Sequence, residues 1–110
     1  MTDGGDALQQ RLAALHAEYL ARLPGRLTEL DGLLDALRRG DRDSLEPLQR
    51  QLHNLTGSAG SYGLDEISRL AREAEQAAAR LGEQTTLDAA DLDILAQRVR
   101  LLGEGVKGEG

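Results

Sequence analysis

The run Leu45-Glu46-Pro47-Leu48-Gln49-Arg50-Gln51-Leu52-His53-Asn54-Leu55-Thr56-Gly57-Ser58-Ala59-Gly60-Ser61-Tyr62-Gly63 decides the fold. Leu45, Leu48, Leu52, Leu55, Ala59 and Tyr62 recur at alternating steps of three and four, the spacing that lines one face of a helix of period 3.6. Ser44 is placed to cap this helix. Pro47 falls in its first turn, where backbone N–H groups have no intrahelical acceptor, and Gly63 ends it.

The same pattern extends in both directions. Leu8, Leu12, Leu15 and Tyr19 stripe a first segment that should run to about Leu23. Leu27, Leu30, Leu34 and Leu37 stripe a second that stops at Gly40. Pro24 between them lacks an N–H and disfavours helical dihedrals at Leu23, which predicts two segments or one kinked helix. Beyond Gly63, Asp65 is placed to cap a segment with Ile67, Leu70, Ala71, Ala74, Ala78 and Leu81 inward, ending at Gly82. Asp88 then opens a last one carrying Leu92, Leu95, Val99 and Leu102, ending at Gly103. Residues 1–103 read as one domain, and 104–110 as a disordered tail or linker.

Composition agrees. Of 110 residues, 22 are Leu and 15 Ala, against 2 Ile, 2 Val, 2 Tyr and no Phe or Trp, so the β-branched and aromatic residues that sheets favour are scarce. Short links between amphipathic helices make neighbours antiparallel. The expected fold is all-α, an antiparallel up-down four-helix bundle with an additional N-terminal helical segment packed across it.

Several function classes fall away. There is no Cys, hence no thiol chemistry, disulfide or cysteine-bound zinc; the two histidines lie in different segments without i, i+4 spacing, so neither a metal site nor a cofactor is expected. A formal charge of −6 argues against attraction to nucleic acid. No apolar run approaches a membrane span, and the acidic start lacks the basic region of a signal peptide, so a cytoplasmic monomer is expected. Gly57, Gly60 and Gly63 do not form a nucleotide loop, since no strand precedes them and no Lys-Ser/Thr follows.

What a bare bundle does not need is two glycines inside its best-patterned helix, each costing about 1 kcal/mol relative to Ala. Leu52 and Leu55 fix the buried direction, which turns His53 toward solvent. Gln49, Thr56, Gly57 and Gly60 fall on the same side of the helix. An imidazole ordinarily titrates at about 6.5, so at pH 7 it is largely neutral and offers a nucleophilic nitrogen. Beside glycines it can be approached closely by a reactive group on another protein, which makes phosphoryl transfer feasible.

The string His53-Asn54-Leu55-Thr56-Gly57-Ser58-Ala59, followed by Gly63-Leu64, Leu70 and Glu75, resembles the histidine-containing phosphotransfer (HPt) domain of bacterial phosphorelays, whose motif runs H-x-L-K-G-S/A-A. The resemblance spans about Leu20 to Leu102 and takes in Tyr19-Leu20 and Leu23-Pro24 upstream. It implies a bundle whose histidine, here His53, accepts a phosphoryl group from a receiver-domain phosphoaspartate and passes it to another receiver. In that scheme the partner's acidic, Mg²⁺-containing site does the catalysis, and this chain is not itself an enzyme. Gly57 then provides clearance, and Gln49, Arg50, Thr56, Gly57 and Gly60 form the partner-binding face. Thr56 departs from the family's usual Lys, removing a cation for which Arg50, one turn earlier, is a partial substitute.

Other readings stand beside this one. The Thr56 departure motivates a phosphorylation-incompetent adaptor that binds a receiver without transfer, and a plain helical spacer is a third. Glu75 sits on the helix expected to pair with that of His53. It is either part of a solvated charged face with Arg69, Arg72 and Glu73, or an acceptor for the imidazole N–H. Gly60 serves either docking or close helix packing. His16 has no such context and reads as a surface or packing residue.

Overall fold

The computed structural model describes residues 4–109, and the following statements concern those residues. They form α1 (Gly4–Arg38), a 3-10 turn (Arg42–Ser44), α2 (Leu45–Ser61), α3 (Asp65–Gly82) and α4 (Ala89–Glu109). The four helices form the expected up-down bundle. Its interior is filled almost entirely by aliphatic side chains, with Leu23, Leu30 and Leu37 of α1 against Leu48, Leu52 and Leu55 of α2, Ile67 and Leu81 of α3 and Leu95 and Leu102 of α4. The inward face of α3 is mostly alanine (Ala71, Ala74, Ala77 and Ala78), and small side chains let a neighbouring helix come close. It is with α3 that α2 packs most extensively.

Pro24 does not divide α1. The helix is continuous through it, with Pro24 on the exposed side, and the Thr28 hydroxyl donates to the Pro24 carbonyl at 3.1 Å. An interior proline costs a helix about 3 kcal/mol. Burial of Leu23, Leu30, Leu34 and Leu37, at roughly 1.5–3 kcal/mol each, outweighs that cost. The additional N-terminal segment therefore is not packed across the bundle; it is the first half of α1. It extends the molecule to 64 × 21 × 20 Å, leaving Leu8, Leu12 and Leu15 exposed. Tyr19 is the first buried member of that stripe. Its ring stacks on Tyr62 at 4.3 Å and its hydroxyl meets the Ser58 hydroxyl at 2.6 Å. Tyr62, expected in the core, is 37% exposed at the end of α2, its ring stacked with those of Tyr19 and His16.

The helix ends depart from the sequence reading in instructive ways. Ser44 makes no side-chain cap, because the turn before it already runs into α2 with helical dihedrals; Asp41 caps that turn instead. Leu64, rather than Asp65, occupies the cap position of α3, with no side-chain bond. Asp88 caps α4 as expected, accepting from the N–H groups of Ala90 and Asp91 at 2.8 and 3.1 Å. Gly63 ends α2 in the left-handed region at φ 75°.

Residues 104–109 are not the expected disordered tail or linker. Helix α4 continues to Glu109, since Val106 adds a buried step to the Leu95, Val99, Leu102 stripe. Gly105 permits this by close approach: a Cβ there would lie 2.6 Å from Leu70 Cδ1. Gly110, the last residue of that expected tail, lies outside the described residues. No helix among the described residues is long and apolar enough to cross a membrane.

Candidate functional site

The outer side of the α2–α3 seam carries Gln49, Arg50, His53 and Glu75. With Leu48, Leu52, Leu55 and Ala59 buried, the remaining arc of α2 turns His53 outward, where its side chain is 75% exposed. Glu75, on the antiparallel α3, lies opposite: its Oε2 is 2.7 Å from His53 Nδ1. A carboxylate only accepts, so Nδ1 carries the proton in this pair, and in its neutral form the ring then presents Nε2 with its lone pair free. Of the two readings of Glu75, the structure selects the imidazole acceptor.

Around this pair is an open bay lined by Glu46, Gln49, Arg50, His53, Glu75 and Ala79. Arg50 is exposed and loosely paired with Glu46 at 3.6 Å. Gln49 is half-buried, its amide donating to the Ala78 carbonyl of α3 at 3.2 Å, so it bonds the two helices together as well as lining the bay.

Thr56 is not on the outer face. It is 7% exposed, its hydroxyl donating to the Leu52 carbonyl at 2.9 Å and lying 3.5 Å from Glu75 Oε1. Three residues after His53 the helix has turned by about 300°, and the close alanine-lined α3 closes over that position. Ser68 of α3, which nothing in the sequence marked, donates to the Thr56 carbonyl at 2.8 Å. Gly57 is exposed, and a Cβ built on it would meet nothing within 4 Å. A Cβ at Gly60 would touch Ser68 Oγ at 3.4 Å, an ordinary contact, so packing does not demand glycine there. His16 stacks on Tyr62 with ring centroids 6.4 Å apart, on the first helix and apart from the residues of the bay.

The Hpt domain family matches residues 6–105, nearly the whole chain, and the protein belongs to that family. It is thus a histidine phosphotransfer domain of phosphorelay signalling, a phosphocarrier rather than an enzyme in its own right, that works with receiver domains. No curated protein and no solved structure gives a significant match.

Proposed function

We propose that His53 is the phosphoryl acceptor, through Nε2, taking the group from a receiver-domain phosphoaspartate and passing it to another receiver. The observation that carries this reading is the exposed imidazole whose Nδ1 is engaged by Glu75 at 2.7 Å. In the forward step the Nε2 lone pair forms a bond to phosphorus as the bond from phosphorus to the aspartyl oxygen breaks, and the aspartate leaves as a carboxylate. The ring keeps its Nδ1 proton and becomes cationic. Its hydrogen bond to Glu75 is then charge-assisted on both sides, an interaction stronger in the phosphorylated state than before transfer.

This chain contributes an oriented nucleophile, while the partner's acidic site and Mg²⁺ stabilise the charge on the transferring oxygens. Gln49, Arg50, Gly57 and Gly60 flank His53 on the docking face, with Gly57 giving the clearance the approach needs. The test is incubation with a phosphorylated receiver, following acid-labile label. Wild-type chain takes the label, and a His53→Gln variant that still labels fully overturns the assignment.

A further inference from the structure

We propose that Thr56 is a positioning residue that sets the Glu75 carboxylate against His53 from inside the α2–α3 seam; the proposal rests on His53 as acceptor. The two oxygens of Glu75 have different neighbours, Oε2 at 2.7 Å from His53 Nδ1 and Oε1 at 3.5 Å from Thr56 Oγ1. The Thr56 hydroxyl has one proton and two acceptors within reach, the Leu52 carbonyl at 2.9 Å and that carboxylate oxygen. Leu52 O already accepts the Thr56 backbone N–H within α2, as helix geometry requires, so its second bond is dispensable. Glu75 Oε1 has no other side-chain donor among the described residues. Ser68 fixes the backbone of the same residue by donating to the Thr56 carbonyl at 2.8 Å.

Thr56 therefore acts one step removed from the imidazole. Its buried hydroxyl lies against the carboxylate and can turn its proton to Oε1 as the ring gains charge. At 7% exposed, the residue offers a docking partner little surface.

The experiment compares Thr56→Val, which keeps the shape and removes the hydroxyl, with Thr56→Ser, which restores it. Three readouts are taken on the full chain: the ring ¹⁵N shifts of unphosphorylated His53, the rate of transfer from a phosphorylated receiver, and the rate of phosphorylation by phosphoramidate. In the phosphoramidate reaction the P–N bond of the reagent breaks, ammonia leaves and the Nε2–P bond forms. Phosphoramidate is too small to use a docking face. The expected result for Val is a ¹⁵N pattern moved toward a mixture of tautomers and a rate lowered about threefold, as for loss of one modest hydrogen bond, with Ser close to wild type. A Val variant with unchanged ¹⁵N shifts and rate overturns the proposal. So does one slowed only toward a phosphorylated receiver, which would assign Thr56 to docking. If wild-type His53 takes no phosphoryl group from either donor, the proposed function fails, and the ¹⁵N comparison still decides the role of Thr56.

Discussion

Gly57→Ala separates the stability of the fold from the function assigned to its surface. A Cβ at this position meets no atom within 4 Å, and the residue lies within the hydrogen-bonded span of α2, so alanine meets no steric objection. Replacing an exposed helical glycine by alanine stabilises by about 1 kcal/mol. With an unfolding entropy of about 2.1 cal/mol/K per residue, the 110 residues give roughly 0.23 kcal/mol/K, so Tm rises by about 4 °C. Against a docked receiver the same methyl is an intrusion. Overpacking of a closely fitted contact costs roughly 1–3 kcal/mol, which lowers kcat/KM for transfer from a phosphorylated receiver by about tenfold. Phosphoramidate, which needs no docking, should phosphorylate variant and wild type alike. Thermal unfolding by circular dichroism and the two transfer rates are sufficient to judge the outcome. A variant that is stabilised and still accepts from the receiver at the wild-type rate refutes Gly57 as clearance, and one that is destabilised refutes the open space around it.

Removing the Glu75 carboxylate should matter more than neutralising it: Glu75→Gln keeps an oxygen that can accept from Nδ1 and slows transfer modestly, whereas Glu75→Ala slows it further and releases the ring tautomer, as read by ¹⁵N shifts. Equal rates for Ala and wild type would remove Glu75 from the site. Arg42 reaches from the turn before α2 to the carbonyls of Leu81 at the end of α3 and of Gln84 and Thr85 in the link after it. Arg42→Met should therefore lower stability by about 1 kcal/mol and speed amide exchange around residues 81–88, measured by denaturant midpoint and hydrogen exchange. The Arg69 hydrogen bond holds Glu66 below the ordinary carboxylate range, and the pair raises Arg69 in return. Because the Glu66 pKa is depressed in the folded state, whatever the pair contributes is present above the unfolded pKa and is lost as pH falls through the folded one. A ¹³C titration should find the Glu66 midpoint low in wild type and restored by Arg69→Gln.

The fold was legible wherever burial is periodic. The stripes of α2, α3 and the centre of α1 placed Leu30, Leu37, Leu48, Leu52, Ile67 and Leu81 correctly in the interior, because a side chain at step three or four has little choice of direction. Reading failed where a local signal met a tertiary one. Pro24 signals a break, yet the aliphatic residues on either side of it hold α1 together. The glycines after Leu102 suggest disorder, yet Gly105 is what admits Leu70 against α4. Leu8, Leu12 and Leu15 carry the same periodicity as the core, but they extend past the end of α2 and stay exposed. Within the site, His53, Gly57 and the pairing with Glu75 follow from one helix face and antiparallel neighbours. The inward turn of Thr56 does not, because it depends on how closely α3 approaches, a distance set by the alanines of another helix.

That close approach also explains why a helical bundle suits the proposed task. A nucleophile on a loop would lose orientational entropy at each encounter, whereas His53, the proposed acceptor, stands on a helix joined to its neighbour by four hydrogen bonds across the seam. These are Gln49 to the Ala78 carbonyl, Ser68 to the Thr56 carbonyl, the imidazole to Glu75 and the longer contact of the Thr56 hydroxyl with the same carboxylate. The bonds lie on both sides of the imidazole along the seam, so its ring is fixed relative to both helices before a partner arrives. On the proposed reading the partner then supplies the phosphoryl group and the Mg²⁺ that steadies its oxygens. A Lys at position 56 would add a second positive charge to that of Arg50 in the bay and hold the phosphorylated state more tightly; in the proposed arrangement Thr56 instead braces Glu75, which stabilises the charged ring.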